Sequence, residues 1–181
     1  MKENNEPLIV TKFEKKRLIP YLIFVFFGIF LFGTGVLFYH QKPNESYLHY
    51  LFIKSSSVFF FLGSIYLFME PLNTKEFRVY ENRIEKIARV FRRIPLIGNK
   101  VVYYDNAYCS HVWVGVELCN CSKFLKFLIA FKGILFFIKL LPREDQEKVA
   151  DILNKVSGRE KELFLKWGVL IRPYKFRRRY D

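Results

Sequence analysis

Hydrophobic positions divide the chain into two parts. From Leu18 to Tyr39, 22 consecutive residues carry no charge (LIPYLIFVFFGIFLFGTGVLFY). A helix rises about 1.5 Å per residue, so this run predicts a rod of about 33 Å, enough to cross a bilayer core. A second run, Leu51–Met69, holds only Lys54, close to its start, where a long side chain reaches the near interface. Two such runs so close together predict a transmembrane helical hairpin, about 18–39 and 51–69. Neither run holds an Asp or Glu, so no proton or ion path is expected through it. The first run is too long for a signal peptide and lacks an A-x-A-like cleavage site, which makes it an uncleaved anchor.

Beyond the hairpin the period shortens to that of strands. Lys75–Tyr80 (KEFRVY) alternates, Glu81-Asn82 supplies a two-residue turn, and Arg83–Val90 (RIEKIARV) returns. Lys100–Tyr104 and Tyr108–Glu117 read as further strands, as do Lys123–Phe131 and Ile134–Leu141 on either side of Lys132-Gly133. The alternative for Ser122–Leu141 is an interfacial helix or a third span. Its lysines at 123, 126, 132 and 139 fall on opposing sides of a helical wheel, which favours the hairpin. An amphipathic helix follows: Pro142 opens it, Val149, Ile152, Leu153 and Val156 share one face, and Ser157-Gly158 ends it. A short second helix is expected over Arg159–Trp167. The expected organisation is a basic N-terminus (1–17), the hairpin (18–70), a strand-rich domain with its helix (71–157), and a basic tail (158–181).

Composition sharpens this division. The chain of 181 residues is 51% hydrophobic, with 21 Phe and 11 Tyr, which excludes intrinsic disorder, and it still carries a formal charge of +13. Five Lys/Arg precede the first run and 23 lie in residues 71–181, whereas the loop His40–Tyr50 holds only Lys42. The positive-inside rule therefore puts both termini in the cytoplasm. Arg89, Arg92 and Arg93 surround one strand end. Arg172, Lys175, Arg177, Arg178 and Arg179 form a terminal cluster. Beside an inner leaflet each such charge is worth about 1 kcal/mol of attraction to anionic lipid, so Arg89, Arg92, Arg93 and Arg177–Arg179 are candidate headgroup contacts. Nucleic acid would attract the same charges, but a membrane tether makes lipid the nearer anion, and nucleic acid is not an expected partner.

Other chemistry is sparse. Cys109, His111, Cys119 and Cys121 form C-x-H…C-x-C, a poor match to zinc knuckles, which use C-x2-C. Free thiols in a strand and its turn are the plainer reading, so no metal and no cofactor are expected. Asp105, Ser110 and His111 lie too close along one segment to converge as a triad. P-loop, H-E-x-x-H and dinucleotide fingerprints are missing from the sequence, and no enzymatic activity is expected. Lys123–Leu141 is apolar on both faces, which marks Phe127, Phe131, Phe136 and Phe137 as candidate contacts for a protein partner. A second copy of the chain is a further candidate, through Gly28, Gly33 and Gly35, although their spacing is not G-x-x-x-G.

The layout resembles the bacterial pleckstrin-homology-like membrane proteins with two N-terminal transmembrane helices. EFRVYENRIEKIARV is similar to their opening hairpin, and FFIKLLPREDQEKVADILNKV to their last strand entering the capping helix. The resemblance covers residues 18–157, with six strands evident here where that fold usually has seven. It implies a membrane α+β protein whose cytoplasmic PH-like antiparallel β-barrel or sandwich is capped by the amphipathic helix. It also implies a non-catalytic adaptor, scaffold or assembly role at a bacterial inner membrane. The Glu81-Asn82 turn is too short for the basic phosphoinositide cradle of eukaryotic relatives, so no inositol-lipid site is expected.

Overall fold

A computed structural model describes residues 6–94, 97–112, 115–119, 133–165 and 171–175. Contacts divide the chain into two units: residues 18–72, and residues 1–17 with 73–181.

The first unit is the helical hairpin. Helices α1 (Lys15–Phe38) and α2 (Tyr47–Asn73), of 24 and 27 residues, are each long and apolar enough to cross a membrane. Their outward side chains, among them Phe26, Phe27, Phe30 and Leu31, are more than half exposed, a surface suited to lipid and costly in water. The small residues of α1 face its hairpin mate. A Cβ on Gly28 would come within 3.3 Å of the Ser64 hydroxyl, on Gly33 within 3.1 Å of the Phe61 ring, and on Gly35 within 3.0 Å of the Ser57 hydroxyl. This face, expected to serve a second copy, is therefore taken up inside the hairpin, where small residues let two backbones approach closely. Lys54 is committed too: its amine donates to the carbonyls of Val36 and Tyr39, groups at the end of α1 that lack helical partners. Helix α2 also runs past Met69 and takes in Glu70, which is fully buried. The apolar run stops one residue short of this carboxylate: the helix is longer at both ends than the expected 51–69, which itself holds no acidic residue.

The second unit contains two antiparallel sheets. One has the order β1-β2-β3-β4: β1 (Ile9–Thr11), β2 (Thr74–Val79), β3 (Arg83–Ala88) and β4 (Lys100–Tyr103). The other has the order β7-β6-β5-β8: β5 (Tyr108–Val112), β6 (Gly115–Cys119), β7 (Ile134–Phe136) and β8 (Ile171–Lys175). Both sheets are open, so the expected barrel does not close. Strict alternation along β3 puts Ile84, Lys86 and Ala88 inside, while Arg83 and Glu85 pair with each other at 2.7 Å on the outer side. The Glu81-Asn82 turn is present: Tyr80 N–H donates to the Arg83 carbonyl at 2.8 Å across it.

One core joins both sheets. Phe77, Val79, Ile84 and Val102 from the first sheet meet Cys109, Val116, Leu118, Ile134 and Phe136 from the second. Helix α3 (Arg143–Ser157) closes the core with Val149, Ala150 and Leu153. It starts after Pro142, with Glu144 and Asp145 in its positive first turn. It stops at Gly158, whose φ of 66° is a left-handed cap. Helix α4 (Lys161–Leu165) follows, and Lys161 bonds Glu147 at 2.8 Å and Asp151 at 2.9 Å across the two helices.

Several strands differ from expectation. The single strand expected over Tyr108–Glu117 is two, β5 and β6, which pair Val112 with Gly115. Gly115 lies so close to β7 that a Cβ there would come 2.0 Å from the Phe136 carbonyl oxygen, so only glycine fits where the chain turns back. Ile134–Leu141 is a strand only to Phe136; Ile138–Leu140 is a 3-10 turn. Its strand pairs with β6, and the mate expected for it, Lys123–Phe131, lies outside the described residues. Strands β1 and β8 come from segments expected to be basic tails.

Lys139 sits on that 3-10 turn and is only 5% exposed. Burial, and then the nearby Arg17 charge, hold its amine below the ordinary lysine range, with Glu147 pulling the other way. The unfolded chain then binds the proton more readily, so stability rises with pH between the folded value and the ordinary one. Lys139→Met is expected to raise stability at neutral pH and flatten that alkaline rise, measured by thermal unfolding in detergent from pH 7 to about 10.5. Gly35→Leu, by contrast, is expected to cost about 1–3 kcal/mol by overpacking α1 against Ser57, with particle size unchanged in size-exclusion chromatography.

Candidate membrane-proximal interface

Asn73 is the last residue of α2 and Thr74 the first of β2, so helix passes to strand with no linker. Asn73 is 4% exposed, and its carbonyl and side-chain amide serve the segment between β3 and β4. Its carbonyl accepts from Arg89 N–H at 2.6 Å. Its side-chain oxygen accepts from Val90 and Phe91 N–H at 3.0 and 3.1 Å, and its amide nitrogen donates to the Ile97 carbonyl at 2.9 Å. Lys86, pointing inward from β3, donates to the same Ile97 carbonyl at 2.9 Å. Asn99 accepts from Ala88 N–H at 2.8 Å, and its own N–H donates to Arg92 at 3.0 Å. Residues 89–92 therefore form an ordered loop on an asparagine clamp.

The entry to α1 is tied down in the same way. Leu8 N–H donates to Val79 and Glu14 N–H to Leu140, both at 2.8 Å. The Thr11 hydroxyl donates to the Asp145 carboxylate at 2.5 Å, and Arg17 in the first turn of α1 pairs with Glu14 at 2.6 Å. Phe13 packs edge-on against Phe77 and Phe137, with ring centres 5.5 and 5.9 Å apart. Both ends of the apolar hairpin thus leave directly from hydrogen-bonded positions of the domain.

The sequence-derived candidates separate on this frame. Arg89, Arg92 and Arg93 are all exposed on the clamped loop, in one stretch with exposed Val90, Phe91 and Ile94. The apolar members of this group were not expected, because alternation carried the reading of β3 through Val90; the structure ends that strand at Ala88. Phe136 and Phe137 are fully buried, Phe136 against Phe77 at 4.6 Å between ring centres. These two rings fill the core and present no surface to a partner. Phe127, Phe131, Arg177, Arg178, Arg179 and Cys121 lie outside the described residues.

Of the proposed ligand set, Cys109 is a reduced cysteine sealed in the core, Cys119 is disulfide-bonded, and His111 pairs with Val116 along β5. The expectation of free thiols is thus corrected at Cys119. Among the described residues no three His, Cys, Asp or Glu side chains gather where a metal could bind.

Asn73→Ala would leave two backbone N–H groups and the Ile97 carbonyl without this partner. It is expected to cost about 1–3 kcal/mol, and Asn73→Asp, which keeps the acceptor but sets a buried carboxylate oxygen against the Ile97 carbonyl, should not recover that loss. Denaturant unfolding of the full chain in detergent measures both. Compared with family models, with curated proteins and with solved structures, the chain matches none.

Proposed function

We propose that the chain is a non-enzymatic integral membrane protein whose domain works at the bilayer surface as an adaptor or scaffold for a membrane protein complex. The observation that carries this reading is the double attachment: Glu14 and Asn73, at the two ends of the apolar hairpin, are both bound into the domain's hydrogen-bond network. A domain attached twice without linkers cannot search the cytoplasm. Its partners are therefore the membrane and what the membrane holds. Cys109, sealed in the core, and Cys119, held in a disulfide, are committed to structure rather than to chemistry. The excess of Lys and Arg outside the hairpin supports cytoplasmic termini, and the resemblance to bacterial PH-like membrane proteins is what suggests a bacterial inner membrane. Two sheets around one core closed by α3 are consistent with a PH-like domain whose sheets stay open.

A second reading rests on the loop after β3. Three exposed arginines together form a site for anionic headgroups. Affinity purification of the full chain from gently solubilised native membranes, read by particle size and mass spectrometry, separates the two. The adaptor reading predicts a membrane protein in fixed stoichiometry that stays bound through a second size-exclusion step. A lone chain carrying enriched anionic lipid would overturn it in favour of the lipid reading.

A further inference from the structure

The segment that follows β3 exposes three basic and three apolar side chains within six residues: Arg89, Val90, Phe91, Arg92, Arg93, Ile94. Val90 is 73% exposed, Phe91 41% and Ile94 43%, on a loop where exposed positions are ordinarily polar. Each half of this pattern suits one layer of a bilayer boundary. Arginines pair with lipid phosphates, and aromatic or branched side chains enter the first carbons of the acyl chains.

We propose that residues 89–94 are a membrane-docking loop: Val90, Phe91 and Ile94 insert at the headgroup–acyl boundary of an anionic bilayer while Arg89, Arg92 and Arg93 hold its phosphates. This rests on the lipid reading above and extends it from surface attraction to insertion, with Phe91 as the central side chain. Two features of the loop favour a bilayer over a protein as the occupant. The first is position: Arg89, Val90 and Phe91 each donate directly to Asn73, the residue on which the second apolar helix ends. The loop is therefore one hydrogen bond from a residue that chain continuity places at the end of a span. The second is backbone satisfaction. Arg89, Val90 and Phe91 N–H are held by Asn73, and Arg92 N–H donates to the Val90 carbonyl at 2.9 Å. Unpaired N–H groups are what keeps irregular backbone out of lipid, and four in succession are already paired here. The loop is also organised before it binds, so insertion does not have to pay for ordering it.

The test uses the full chain with Phe91→Trp, reconstituted into nanodiscs containing about 30% anionic lipid, some of it brominated near the top of the acyl chain. The parent chain, with its own Trp113 and Trp167, supplies the baseline. Bromolipid is expected to quench the added fluorescence. Adding Arg92→Glu and Arg93→Glu should cut that quenching by about twofold, as should neutral lipid. Ile94→Trp provides a second probe should Phe91→Trp fail to fold. Quenching of both probes by aqueous acrylamide and not by bromolipid would overturn insertion. If anionic lipid still co-purified in that case, the broader lipid reading would stand while the docking loop fell. Probes shielded from both quenchers, with a protein retained on the particle, would assign the loop to a protein partner and overturn the proposal.

Discussion

Asn73 ends an apolar helix and, with the same side chain and carbonyl, organises the loop between two strands of the domain. Four hydrogen bonds meet at this buried residue, and a fifth from Lys86 shares its Ile97 partner. Buried amides are costly unless every donor and acceptor is met, so the site holds one arrangement of the loop and excludes others. Removing this constraint would turn the passage from α2 to β2 into an ordinary linker. With it, the end of the helix is also a structural element of the domain.

The first sheet depends on a similar economy at the other end of the hairpin. Strand β1 is only three residues long, too short to be stable alone, yet it is fixed by pairing with β2 and by Thr11 on Asp145 of α3. Glu14 then bonds Leu140 one residue before α1 begins. The residues before and after the hairpin therefore belong to the same core as Phe77 and Leu153, and Phe13 packs against that core between them. A protein built this way holds the residues on both sides of its apolar hairpin in the domain's own hydrogen-bond network.

The sequence made some of this legible, for physical reasons that can be named. The first apolar run, Leu18–Tyr39, lies almost wholly within Lys15–Phe38 because uncharged length is what a bilayer demands, and α3 ends where Ser157-Gly158 said it would. The β2–β3 hairpin was visible because alternation and turn chemistry agree over Lys75–Ala88. Strands β1 and β8 were hidden, since three to five residues carry too little periodicity, and each becomes a strand only by pairing with a distant segment. Gly115 lies inside what reads as one continuous strand, and only the nearby Phe136 carbonyl shows that the position requires glycine. The arginines of the candidate site stood out by charge. Their apolar neighbours did not, because Val90 reads equally well as the last residue of a strand. Nothing in the local sequence marks Asn73, whose role depends on residues 16 to 24 positions away.

Hydrogen bonds attach the residues at both hairpin ends to the domain. Hydrogen–deuterium exchange of the full chain in lipid nanodiscs tests this attachment most directly. The amides of Glu14, Arg89, Val90 and Phe91 are predicted to exchange as slowly as those of β2 and β3, because they open only with the domain. Exchange at those four positions at the rate of a free loop, with β2 and β3 still protected, would contradict this attachment.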